Sequence, residues 1–315
     1  MNMAETISEF NPLAGYAAKL YCPSLTALVE KRDCSRDQWV MPKVYEPALT
    51  LTREKYRVTA ELPSEWEYAL YHEQDMLLWR GSVVREQVVQ HFKGRIGERV
   101  LALVLSGFID DLVTVCHQAG YSASKGGLIK EKREPESRPY HRKVVRIQGP
   151  YALQHDRRTT FKLLQDKSSQ GERDDDTPDV CAEIDGLARL YVCSSEPEIS
   201  QKYLFIAEVK TTTEESFFLN FIGFEKSGFR SLEERLFTPL RILYPEHRLV
   251  YVCMNQAQIL FQPAAPYPIL TPASIKVSKR LQKAGVHSLF IPLPRTVDCG
   301  ALAEEFYAKL VRLRE

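Results

Sequence analysis

Tyr203-Leu204-Phe205-Ile206-Ala207-Glu208-Val209-Lys210-Thr211-Thr212-Thr213 is the stretch that decides the fold. Five apolar or small residues run straight into a charged triplet. A segment this short and this apolar reads as a buried strand. Side chains alternate along a strand, so Glu208 and Lys210 share one face and Val209 takes the other. Two charges at the end of a buried strand are costly unless they are paired or hold a metal.

A second run supplies a neighbour. Residues 180–193 read Val180-Cys-Ala-Glu183-Ile-Asp185-Gly-Leu-Ala-Arg-Leu-Tyr-Val-Cys193 and are rich in β-formers at their far end. Glu183 and Asp185 share one face of this run, and Ile184 lies on the other. If the two strands are neighbours, up to three carboxylates and one lysine converge. Clustered carboxylate oxygens suit a hard divalent cation such as Mg2+.

Ile184-Asp185, then 22 intervening residues, then Glu208-Val209-Lys210 resembles the PD-(D/E)XK nuclease superfamily, the restriction-endonuclease-like fold. The resemblance implies a core of a helix followed by a mixed sheet. Its acid starts the second core strand and its Glu-x-Lys ends the third. It implies Mg2+-dependent hydrolysis of phosphodiester bonds, with Mn2+ as a substitute. Asp185 and Glu208 would be metal ligands, the Val209 carbonyl a further ligand, and Lys210 the catalytic lysine. A type II restriction enzyme or defence nuclease of this family acts on double-stranded DNA, usually as a homodimer. Two other readings stand beside it: a structure-specific repair nuclease or resolvase, and a nucleic-acid-binding subunit that does not cut. The sequence departs from the family in placing Ile184 rather than Pro before Asp185. A literal Pro178-Asp179 lies upstream, so Asp179 is an alternative first acid, with Glu183 a further candidate. Asp185 is preferred because strand residues flank it.

From Gly97 the chain reads as an internal helix, with Glu98 on the stripe of Leu101, Ala102, Leu105, Ile109 and Leu112. Two readings of Glu98 stay open. It resembles the glutamate that many superfamily members aim at the metal from their first core helix. It is also an acid in a first helical turn, favoured by the helix dipole alone.

Composition bounds the possibilities. At 315 residues, 44% hydrophobic and 26% charged, the chain is globular, with one large domain or two ordinary ones. The apolar run Val100–Ile109 is too short to span a bilayer, and no signal peptide is apparent, so no membrane role is expected. Seven scattered cysteines without Cys-x-x-Cys spacing suggest a reducing cytoplasm. Net charge is only +1, but residues 125–173 carry 13 Lys/Arg against 6 Asp/Glu, a local +7 that leaves the remainder at −6. Lys130, Lys132, Arg133, Arg142, Lys143, Arg157 and Arg158 are the candidates there for contact with nucleic-acid phosphates.

The expected organisation is an N-terminal extension or accessory unit, 1–90, and a nuclease-like domain, 91–315. The extension is mainly helical, with a capping box at Ser64-Glu65-Trp66-Glu67. In the second unit the pattern predicts a helix over 97–117, a Gly/Lys loop near 120–127, and a strand near 143–148. The two site strands follow, then a helix over 231–243, a strand over 249–253, and a Pro-rich connector over 263–272. A strand over 287–292 and a C-terminal helix striped by Leu302, Phe306, Leu310 and Leu313 close the chain. The fold class is α/β: a restriction-endonuclease-like core with a mixed central sheet flanked by helices.

Overall fold

The computed structural model describes residues 85–126, 143–155, 160–166, 179–193, 200–212, 232–255, 257–260, 270–292 and 299–312. The expected N-terminal extension therefore lies almost wholly outside the described residues. So does the capping box.

A long helix comes first, α1 (Arg85–Gln118). It starts twelve residues before Gly97, inside the unit assigned to 1–90. Val88, Val89, Phe92 and Ile96 carry the buried stripe upstream. Gly94 and Gly97 read as breakers but are tolerated, because tertiary packing outweighs their propensity. The helix ends where Gly120 takes φ +84° and Tyr121 N–H reaches back to the Cys116 carbonyl at 2.9 Å. By length and composition α1 could cross a membrane, unlike the shorter run considered from sequence. Here its apolar residues from Val100 to Leu112 are largely buried in the core.

The strands are β1 (Ser122–Gly126), β2 (Lys143–Gln148), β3 (Tyr151–His155), β4 (Phe161–Gln165), β5 (Asp179–Ile184), β6 (Gly186–Cys193), β7 (Ser200–Lys210), β8 (His247–Asn255) and β9 (His287–Pro292). They build two sheets. The central one is mixed, in order β1-β6-β7-β8-β9. β6 runs antiparallel to both of its neighbours, β1 and β7, whereas β7, β8 and β9 run parallel. The second is an antiparallel sheet, β2-β3-β4-β5, inserted in the chain between β1 and β6.

The remaining helical elements are a π-helical turn (Glu233–Phe237) running into α2 (Thr238–Leu243), a short α3 (Ala257–Leu260), α4 (Pro272–Lys283) and α5 (Cys299–Arg312). α1 covers one face of the central sheet, with Phe108 edge-on to Phe205 at 6.0 Å between centroids. α5 packs on α1 through Phe306 and Phe92. The Glu233–Leu243 segment covers the other face, with Phe237 edge-on to Tyr251 at 5.7 Å. Each such fully buried aromatic stabilises the fold by about 1.5–3 kcal/mol through area alone.

Three expectations need correction. The expected Gly/Lys loop is largely strand β1. Ser-Ala-Ser-Lys-Gly has poor β propensity, so its pairing with β6 makes it a strand. The run 180–193 is two strands in two different sheets, broken at Asp185. The end of the Pro-rich connector opens a helix: Thr271 caps α4 by accepting from Ser274 N–H, and Pro272 follows inside its first turn. The expected strands over 249–253 and 287–292 and the helix over 231–243 are present, the helix starting as a π-turn.

Candidate active site

Asp185 stands at the bend between the two sheets, 9% exposed. Its Oδ2 accepts the backbone N–H of Val209 at 2.9 Å, which ties the bend to the end of β7. Gly186 follows directly and lets α1 approach. A Cβ there would lie 3.2 Å from Leu105 and 3.4 Å from Ala207. Glu208 is 8% exposed. Lys210 Nζ donates to Glu208 Oε1 at 2.8 Å, the same-face pairing that strand alternation dictates.

The two carboxyls are also within hydrogen-bonding reach of each other. Burial pushes the Glu208 carboxyl well above its ordinary 4.5, the Asp185 charge pushes the same way, and the Lys210 ammonium only partly offsets them. Burial likewise raises Asp185, against the pull of Lys210 and of the Val209 N–H. Burial alone would lower Lys210. The charges of Glu208 and Asp185 outweigh it and hold the ammonium above its ordinary 10.5. The result is a buried carboxyl pair that favours either a shared proton or a bound cation, flanked by a firmly charged ammonium.

The structure thus joins Asp185, Glu208 and Lys210 and leaves the other candidate acids outside that contact. Glu98 is not in a first turn. It lies well inside α1, so the helix-dipole reading does not apply. It pairs with Arg95 Nη1 at 2.5 Å, and its charge reaches Lys210. The preceding Gly97 allows this proximity, since a Cβ there would meet Thr211 Cγ2 at 2.6 Å. Glu183 lies in β5, before the bend, and its charge still reaches Asp185. It pairs with Lys162 of β4 at 3.5 Å and is 65% exposed. Asp179 opens β5 opposite Gln165 and is exposed. Among the described residues no group of three or more His, Cys, Asp or Glu side chains is arranged to hold a metal ion. The pair Asp185–Glu208 is therefore the donor set present.

Of the basic candidates, Lys130, Lys132, Arg133, Arg142, Arg157 and Arg158 lie outside the described residues. Lys143 opens β2, and its side chain also lies outside them. Neighbouring described cations are engaged within the protein: Lys125 with Asp110, Lys162 with Glu183, and Arg146 over the Tyr244 ring.

One residue at the site escaped the sequence reading. Asn255 is 0% exposed and pairs in parallel register with Lys210, on the same sheet face. The signal was available, because a polar residue closes the apolar strand Leu249–Cys253 just as Glu208 closes β7. Carboxyl ends of adjacent parallel strands are a common place for ligand chemistry in α/β sheets. Comparisons with protein-family models, with curated proteins and with solved structures found no match to this chain.

Proposed function

We propose that this chain is a divalent-cation-dependent endonuclease that hydrolyses phosphodiester bonds of double-stranded DNA. Its core would be restriction-endonuclease-like. The observation that carries the reading is the buried contact of Asp185, Glu208 and Lys210. The acid immediately precedes the second strand of the mixed sheet, and Glu-x-Lys ends the third, with a long helix ahead of them. This order is the one that the family resemblance implies.

The residues fit a Mg2+ or Mn2+ ion of the kind held by two carboxylates and completed by waters and substrate phosphate. Asp185 and Glu208 would hold it. Their raised affinity for protons is the physical demand that a cation would satisfy. When bound, the ion would supply charge neutralisation at the phosphate and acidify a water. The chain's own part is as follows. Lys210, fixed by Glu208, presents an ammonium that orients the attacking water and stabilises charge developing on the phosphorus oxygens. The Asp185–Val209 bond holds the two strand ends in one arrangement. The covering helices limit solvent around the pair. In-line attack would leave a 5′-phosphate and a 3′-hydroxyl. A homodimer would bring one such site to each strand.

The test is cleavage of plasmid DNA with Mg2+ or Mn2+, with and without EDTA. Cleavage should require the cation and should fall by orders of magnitude in Asp185→Asn, Glu208→Gln and Lys210→Ala. Undiminished cleavage by any of the three overturns the site. DNA binding without cleavage by the unaltered chain, under every cation tried, would favour the non-cleaving subunit instead.

A further inference from the structure

Residues 247–297 contain no Asp or Glu and six Lys or Arg, namely Arg248, Lys276, Lys279, Arg280, Lys283 and Arg295. Four of the six stand on α4. Their spacing, i, i+3, i+4 and i+7, gathers them on one stripe of the helix. All four are exposed. The opposite side of α4, with Ala273, Ser274, Val277, Ser278 and Leu281, is buried. Neighbouring like charges on a helix are destabilising. The helix dipole offsets this for Arg280 and Lys283 in the last turn, and not for Lys276 or Lys279.

α4 lies on the face of the central sheet that bears Glu208 and Lys210. Tyr251, beneath Phe237, pairs in register with Ile206, which shares its face with Glu208. The Glu233–Leu243 segment therefore covers that face. This segment joins the parallel strands β7 and β8, and α4 joins β8 and β9. Right-handed crossovers running in one direction put both on the same side. Arg241 of α2 accordingly donates to the Ala284 carbonyl at the end of α4. The start of α4 is tied to the strand end beside Lys210. α3 opens two residues after Asn255, and Thr271 bonds back to it. Its N–H reaches the Leu260 carbonyl at 3.0 Å and its hydroxyl the Ile259 carbonyl at 2.7 Å.

We propose that the outer stripe of α4, Lys276, Lys279, Arg280 and Lys283, is a docking surface for the backbone of duplex nucleic acid. The stripe spans about 10 Å of helix axis at ~1.5 Å per residue. A duplex presents about six phosphates over that length, at one per ~1.7 Å. A regular row of cations thus meets a regular polyanion. An anionic membrane fits less well, because the apolar side of α4 is committed to the core and offers nothing to a bilayer. Lys276 and Arg280 also have contacts within the chain. At their exposure such contacts are of the weak surface kind, which yields to a phosphate. The choice of a duplex rests on the nuclease reading of the site, since α4 starts at the sheet edge that carries Lys210 and would hold a substrate against that face.

The experiment measures fluorescence anisotropy of a labelled, random-sequence DNA duplex with the full-length chain, in EDTA, across a range of sodium chloride. One variant combines Lys276→Gln, Lys279→Gln, Arg280→Gln and Lys283→Gln. Gln matches Lys and Arg in helix propensity, so α4 should persist, and circular dichroism melts check it. A second variant combines Lys276→Arg, Lys279→Arg and Lys283→Arg and keeps the charge. The Gln variant should bind the duplex at least about tenfold more weakly at moderate salt. Its slope of log affinity against log salt should be shallower by about 3 to 4, at ~0.9 per lost phosphate contact. The Arg variant should bind as the parent does. Parental affinity and slope in the folded Gln variant overturn the proposal. So does a parent that binds phosphatidylserine vesicles and no duplex, which assigns the stripe to a membrane. The two readings fail separately. Plasmid cleavage by a chain whose duplex binding ignores the Gln substitutions removes α4 and spares the site. Duplex binding through α4 without cleavage under any cation removes the nuclease and spares the docking surface.

Discussion

Two glycines on α1 separate helix propensity from tertiary contact. A Cβ built on Gly94 meets nothing within 4 Å. Gly94→Ala should therefore stabilise by the full propensity difference, about 1 kcal/mol. Gly97→Ala gains the same propensity, but its Cβ would stand 2.6 Å from Thr211 Cγ2, far inside van der Waals contact. Thr is β-branched and stiff at χ1, so relief needs a rotamer change or a shift of α1. Overpacking of this kind costs about 1–3 kcal/mol. The net for Gly97→Ala then falls between about zero and about 2 kcal/mol of destabilisation. Thr211→Ser deletes the offending Cγ2 and leaves Val209 Cγ2 at an ordinary 3.4 Å. In that background Gly97→Ala should recover its gain of about 1 kcal/mol. Urea denaturation of the four variants and the parent measures this cycle. Equal stability of Gly94→Ala and Gly97→Ala in the wild-type background would refute the close approach of α1 to the end of β7. So would a Gly97→Ala effect indifferent to Thr211→Ser. The same approach places Glu98 within electrostatic reach of Lys210, so its failure would also detach Glu98 from the site.

Asp185→Ala should cost about 1–3 kcal/mol more than Asp185→Asn, because Ala leaves the Val209 N–H buried without its acceptor and Asn retains one; chemical denaturation at pH 7 compares them. His287 is held down to about 4 by burial and Arg248, so between 6.5 and 4 the unfolded chain binds the proton more readily. Stability should accordingly fall as pH drops through that window, by at most about 3 kcal/mol from this group, and thermal melts of His287→Gln should show a shallower decline. His247 titrates with the same sign and should account for a further part of the slope. Because Glu208 is held above 4.5 without a cation, Mn2+ binding should release protons and tighten as pH rises from that value. Calorimetry in two buffers of different ionisation enthalpy would show this release, and buffer-independent heats would contradict it.

Local pattern carried far in this chain. The apolar run before Glu208 could bury only as a central strand, and alternation alone puts Lys210 beside Glu208. The strands at 249–253 and 287–292 were legible for the same reason, since apolar β-formers leave few alternatives. Elements that owe their state to partners were hidden. β1 has no propensity of its own and exists because β6 pairs with it. The inserted sheet is built largely of short, half-buried strands whose alternation is weak. Asp185 reads as one residue within a strand, yet the tertiary structure makes it the turning point between two sheets. Glu183, its apparent companion, lies before that bend and pairs with Lys162 through the β4–β5 register. Glu98 reached the neighbourhood of Lys210 only because Gly97 has no side chain to hold α1 off the strand. Sequence alone thus determined which residues lie on the site strand and which side each faces, since period-two alternation is a covalent consequence. The tertiary structure decided which acids meet, because convergence across the sheet depends on register, on the break at Asp185 and on helix approach, none of which is encoded locally.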